Sequence, residues 1–186
     1  MMEENREVSR GPRARVTGGL YLAYFLTAIF GAVLMSRGFA VAGNVTNVIS
    51  TLCYLVVTVL FYGLFKPVSG RLSLLAALFS LGGCVVMILG LFHFESRVSP
   101  LVFFGPFCLL VGYLIFRSGF LPRVLGVAMA VAGLGWLVFL LPGVPNYLSI
   151  AIKVVGFLAE LAFCLWLLVM GVDVRRWKGE AFRRAS

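Results

Sequence analysis

Apolar residues in this chain do not alternate with polar ones; they run on. Six long apolar stretches, about 18–36, 45–65, 72–94, 101–116, 124–141 and 149–172, are separated by short breaks rich in charge, Pro, Gly or Asn. A helix rises about 1.5 Å per residue, so roughly 20 apolar residues cross the ~30 Å hydrocarbon core of a bilayer. The pattern predicts an all-α fold, a polytopic membrane protein built as a bundle of six transmembrane helices within 17–172. A polar tail at 1–16, where Gly11 and Pro12 break any helix, is expected to be disordered, and 173–186 is expected to lie as a basic tail on the surface.

Composition agrees with the pattern. The chain is 61% hydrophobic and 12% charged, against about 45–50% and 25% in soluble domains, which excludes a soluble core. Six spans use up most of the 186 residues, so no separate catalytic domain is expected. The net charge of +9 would suggest nucleic acid in a soluble protein, but here the basic residues gather at the span ends. With the amino terminus inside, four Lys or Arg precede the first span, two follow the second, two follow the fourth and five close the chain. That is 13 on the inner side against Arg37 and Arg97 on the outer. Such a bias predicts a multi-pass protein of the inner (plasma) membrane with both termini cytoplasmic, its basic ends against anionic lipid. Two other readings start from the same runs. Ala40-Val41-Ala42 could end a cleaved signal peptide, although the first apolar run is long for one. Six spans could also be two inverted sets of three, as in transporters, although the halves share no residue-level similarity.

The polar residues inside the spans are the candidates for function. The last span alone carries charge, Lys153 near one end and Glu160 at its middle, seven residues apart and so on one face of a helix. A carboxylate at mid-bilayer costs about 2.5–3.5 kcal/mol on insertion scales, so Glu160 must face the bundle interior or carry a proton. Lys153 lies about 10 Å away along the helix and starts close enough to the surface to snorkel there. The second span opens unusually polar, with Asn44, Asn47, Thr51 and Thr58 close to one face and Tyr54 a turn beyond Thr51.

Three roles for Glu160 follow. It is a buried acid hydrogen-bonded to another helix; or, with Lys153, Asn47, Thr51 and Tyr54, it lines a polar cavity that binds or transports a small or lipid-like molecule; or it is a catalytic acid. The third lacks a second carboxylate, a His cluster or an activated nucleophile at a usable spacing. No cofactor or metal is expected. Cys53, Cys84, Cys108 and Cys164 sit one to a span and read as small buried apolar groups, and His93, at a span end, is a lone imidazole. No GxxxxGK run is present. Small residues recur as Gly19, Ala23, Thr27 and Gly31 in the first span and as Gly126, Ala130, Gly133 and Gly135 in the fifth, smooth faces for close helix packing. Pro106 should kink the fourth span.

The run from Gly112 to Gly126, GYLIFRSGFLPRVLG, continued by Ala132-Gly-Leu-Gly-Trp136, resembles the signature of a bacterial membrane family known as domain of unknown function 4386. So do Leu158-Ala-Glu-Leu, Leu165-Trp-Leu-Leu-Val-Met-Gly-Val172, Arg176-Trp-Lys178 and, in the first span, Gly18-Gly-Leu-Tyr-Leu. The resemblance implies a retained first span, a nearly whole-chain relationship and a Glu at position 160, but no activity, since the family has none established. It also implies an Arg near position 80, where this chain has Ser80, so an Arg to Glu pairing inside the bundle is absent.

Overall fold

The structure, a computed structural model, describes residues 10–91, 100–141, 143 and 145–183. Seven helices are found among them: α1 Arg10–Ser36, α2 Ala40–Phe65, α3 Gly70–Leu91, α4 Leu101–Arg117, α5 Arg123–Val138, α6 Asn146–Val169 and α7 Val174–Arg183. Four contain stretches long and apolar enough to cross a membrane: Arg13–Ser36, Ala40–Phe65, Gly70–Gly90 and Asn146–Val169. The apolar helices Val102–Arg117 and Arg123–Val138 are shorter; 16 residues at about 1.5 Å each reach ~24 Å, less than the ~30 Å core. The all-helical class is therefore established, while six full-length crossings are not.

Two boundaries differ from the sequence pattern for local reasons. α1 starts at Arg10, inside the stretch expected to be a disordered tail. Pro12 falls in its first turn, where a helix has no use for the missing N–H, so it does not break the helix as expected. α6 begins directly after Pro145 and ends with Gly171 at φ +69°, a left-handed turn that Gly adopts without strain. Hydropathy alone placed that helix three residues too late. The expected basic tail also forms the short helix α7 at 174–183. α4 runs through Pro106 without interruption. His93, Glu95, Ser96 and Arg97 lie outside the described residues.

Each of α1 to α6 packs on its neighbours in sequence, and α6 closes back onto α1, giving an up-and-down ring. Glycine sets the spacing of nearly every seam. A Cβ on Gly112 of α4 would stand 2.7 Å from the Gly126 carbonyl and 2.8 Å from the Ala130 nitrogen of α5; one on Gly133 would meet the Leu109 nitrogen at 2.8 Å. Gly18 of α1 lies against the backbone of Leu167 and Leu168 in α6, and Gly31 lies against Asn47 of α2. Of the small face expected along α1, Gly31 lies against α2, whereas the close approach to α6 is made by Gly18, next to that face, with Gly19 in ordinary contact with the Leu168 side chain.

The middle of the ring is filled by aromatic side chains. Phe61 of α2 packs edge-on to Tyr21 and stacks on Phe163, each with ring centroids 5.4 Å apart, and stacks on Phe107 at 6.5 Å. Leu52, Val59, Val127, Leu134, Leu158 and Val169 point outward and exposed. A helix apolar all round, with its smallest residues inside, suits hydrocarbon surroundings.

At one end of the ring α7 folds under the bundle. Arg176 Nη1 donates to the Gly119 carbonyl at 2.9 Å, the Asp173 amide to that of Phe120 at 3.3 Å, and Trp177 Nε1 to that of Leu64 at 2.9 Å. Two of the quoted sequence signatures, GYLIFRSGFLPR and Arg176-Trp-Lys, are therefore in contact.

Candidate functional site

The interior stripe of α6 follows helical spacing: Gly156, Ala159, Glu160, Phe163, Cys164 and Leu167 are buried. Glu160 is 3% exposed. Its Oε2 accepts a hydrogen bond from the Tyr21 hydroxyl of α1 at 2.9 Å, and its Oε1 faces the Cys108 thiol of α4 at 3.8 Å. One turn earlier, Gly156 leaves room for the Trp136 indole of α5: a Cβ there would meet Trp136 Cζ2 at 2.5 Å and Nε1 at 3.2 Å. The indole N–H is beside the carboxyl, buried, and closes no hydrogen bond of good geometry. The Tyr54 hydroxyl of α2 is likewise buried without a hydrogen bond of good geometry, near Ser80 and within electrostatic reach of the acid. Four helices thus bring polar groups toward one carboxyl, and two buried donors among them lack a partner. Such groups are uncommon in folded proteins, and each calls for an explanation.

The surroundings are aromatic. Tyr54 packs on Tyr24 at 4.7 Å and Phe104 at 5.5 Å, and Tyr21 on Phe25 at 4.8 Å. Ser80 of α3, where the resemblance implied an Arg, shares a 2.6 Å hydrogen bond with Thr58, whose hydroxyl also lies 2.9 Å from the Tyr54 carbonyl.

Of the five residues expected to line one cavity, the structure brings Glu160 and Tyr54 together. Thr51 is buried but donates to the Asn47 carbonyl of its own helix at 2.8 Å. Asn47 lies at the α1–α2 seam against Gly31. Lys153 is exposed, its Nζ 5.8 Å from the Phe139 ring centroid. Sharing a helix face with Glu160 does not bury it, because the first turns of α6, around 146–155, are mostly uncovered by neighbours.

Tyr21, Trp136 and Cys108 were not picked out as partners of Glu160. For the two aromatics a signal existed: a Tyr or Trp in the middle of an apolar helix needs somewhere to put its O–H or N–H. Which acceptor it finds is decided by the ring closure, which sequence spacing does not encode.

A bundle of apolar helices that encloses, among the described residues, one buried acid suggests a membrane protein. Residues 93–171, less than half of the chain, match the model of the family described as Domain of unknown function (DUF4386), so over these residues the chain is similar to that family, as the resemblance implied. The match takes in the Gly112–Gly126 run, Trp136 and Glu160, but not α1 or α7, where the resemblance had been drawn further. An uncharacterized protein of Archaeoglobus fulgidus is 28% identical over 122 residues, covering 62% of this chain and 75% of the relative. No solved structure matches the chain.

Proposed function

We propose that the chain is a six-span membrane protein of the plasma membrane, both ends cytoplasmic, with a structural or partner-binding role in which Glu160 ties the last span to the first. One contact supports this above the others: Tyr21 to Glu160, 2.9 Å long and buried, joining the two helices that close the ring. The charge bias of 13 to 2 supports the orientation. A cytoplasm-dependent reporter fused to either end should be active at both.

The tie is tested with three variants in nanodiscs. Glu160→Gln keeps an oxygen for Tyr21 and should unfold near the wild-type temperature. Tyr21→Phe should lose about 0.6–1.7 kcal/mol, the range of hydrogen bonds between helices in lipid. Glu160→Leu leaves a buried hydroxyl without its acceptor and should lose about 1–3 kcal/mol. Equal stability of all three would end the reading.

A second reading, binding of a small polar or lipid-like molecule at Glu160, is favoured by the unpartnered Tyr54 hydroxyl and Trp136 N–H. Non-protein density touching both atoms in an experimental structure would put it first; a close-packed interior would leave the tie.

A further inference from the structure

A second feature lies away from Glu160, at the end of the ring covered by α7. An opening of about 250 Å³ separates the start of α1, the end of α2 and α7, and Arg13, Thr17, Leu60, Gly63, Leu64 and Trp177 are among its walls. We propose that this opening is a binding site for one anionic glycerophospholipid, its phosphate on the Arg13 guanidinium and the upper part of one acyl chain along Leu60 and Leu64.

Four observations carry this. First, the walls differ from side to side: Leu60 and Leu64 of α2 supply apolar surface, while on the α1 side Arg13 supplies a charge and Thr17 a hydroxyl that donates to the Arg13 carbonyl at 2.8 Å. That is the profile of a lipid at the headgroup boundary, where an amphiphile has its charge and its chain in different surroundings. Second, Arg13 is exposed and lines the opening, which brings a positive charge to its wall. An Arg fork matches phosphate oxygens in geometry as well as in sign. Third, the site is at the basic end of the molecule. Lys66 and Arg71 border the α2–α3 turn, Arg117 and Arg123 the α4–α5 turn, and Arg175 and Arg176 open α7. Their summed field favours anionic over zwitterionic headgroups. Trp177 belongs at the same depth, since tryptophan concentrates at membrane interfaces. Fourth, Gly63 forms part of the wall, and a Cβ placed on it meets nothing within 4 Å. The opening is therefore free on the Gly63 side, where a larger side chain would project into it.

Size restricts the occupant. A volume of 250 Å³ equals about eight waters at ~30 Å³ each and is below the ~300–1,000 Å³ of sites that enclose drug-sized ligands. It admits a glycerophosphate and the first methylenes of one chain, with the rest of the lipid outside along exposed Val59. The site does not depend on the role given to Glu160.

Gly63 and Arg13 provide separable variants. Gly63→Leu fills the opening from within a helix, without a clash and with a better helix former than Gly. Arg13→Gln removes the charge at an exposed position. Purified protein would be incubated with dioleoyl phosphatidylglycerol or dioleoyl phosphatidylcholine, and retained lipid read by native mass spectrometry, with melting temperature as the check on folding. Wild type should retain phosphatidylglycerol in preference. Arg13→Gln should reduce that preference roughly fivefold, the effect of about one interfacial cation, and Gly63→Leu should remove the most tightly held lipid of either kind. Retention of phosphatidylglycerol by both folded variants at the wild-type level would overturn the site. So would displacement of the lipid by glycerol phosphate at matched concentration, because the acyl chain would then contribute nothing.

Discussion

The seam between α4 and α5 and the seam between α6 and α1 are built on the same motif and differ in one addition. In both, glycine brings backbone against backbone: Gly112 against Gly126 and Ala130 in the first, Gly18 against Leu167 and Leu168 in the second. The second also carries two interhelical polar contacts, Tyr21 to Glu160 and the Cys164 thiol to the Gly18 carbonyl at 3.3 Å. α4 and α5 are consecutive helices on a five-residue turn, so they are already held near each other. α6 and α1 are the two ends of the bundle and must find each other across the whole chain. In hydrocarbon apolar surface has no preference for protein over lipid, so a nonlocal seam gains specificity from a group that can be satisfied in one place only.

The largest effect expected from breaking the comparison is at the glycine seam. Gly126→Leu would drive a side chain into the Gly112 carbonyl, 2.7 Å from a Cβ, and the Phe116 nitrogen at 2.8 Å, neither of which can rotate away. Overpacking costs about 1–3 kcal/mol where side chains adjust, and this clash, with backbone, should be at or above the top of that range. The measurement is the yield of monodisperse protein and its melting temperature. The same substitution at Gly63 should leave both near wild type, and equal behaviour of the two variants would mean the seam is not as close as described.

The sequence made the ring seams legible for a physical reason. Gly126, Ala130 and Gly133 are small, spaced by helix turns and inside an apolar run, and only a neighbouring helix makes use of that pattern. Glu160 was legible too, because the cost of a carboxyl in lipid holds whatever the fold is. Its partners were not. Lys153 shares its helix face by periodicity yet stays outside, since burial depends on how far the neighbouring helices extend, and Tyr21, 139 residues away in sequence, meets it through a ring closure that local patterns do not describe. α7 was missed as a helix because its basic residues read as tail. Its ties to Gly119, Phe120 and Leu64 all end on backbone carbonyls, which carry no sequence signal.

A smaller effect is expected where α7 meets the ring. Trp177→Phe keeps most of the ring's contact area and removes the N–H donated to the Leu64 carbonyl, so it should cost about 0.5–1.5 kcal/mol, the usual net value of one hydrogen bond. Backbone amide exchange should rise in α7 and stay unchanged around Glu160. A rise at both would mean that the end of the bundle and its centre are coupled.

The smallest effect should come from Lys153→Gln, and it sharpens the comparison most. Lys153 is on the helix that carries Glu160, two turns away, and a reading from periodicity alone would pair the two. The structure gives it an exposed position with its ammonium near the face of Phe139, a contact that contributes about 0.5–1 kcal/mol at an exposed site. Lys153→Gln should therefore shift stability by less than ~1 kcal/mol. The double variant with Glu160→Gln should be additive within about 0.3–0.5 kcal/mol, as for sites that share no partner. Coupling above that range would place the Lys153 charge within reach of the acid and make the α6–α1 seam an electrostatic one. Additivity leaves Glu160 held by Tyr21 from across the ring, with no cation on its own helix taking part.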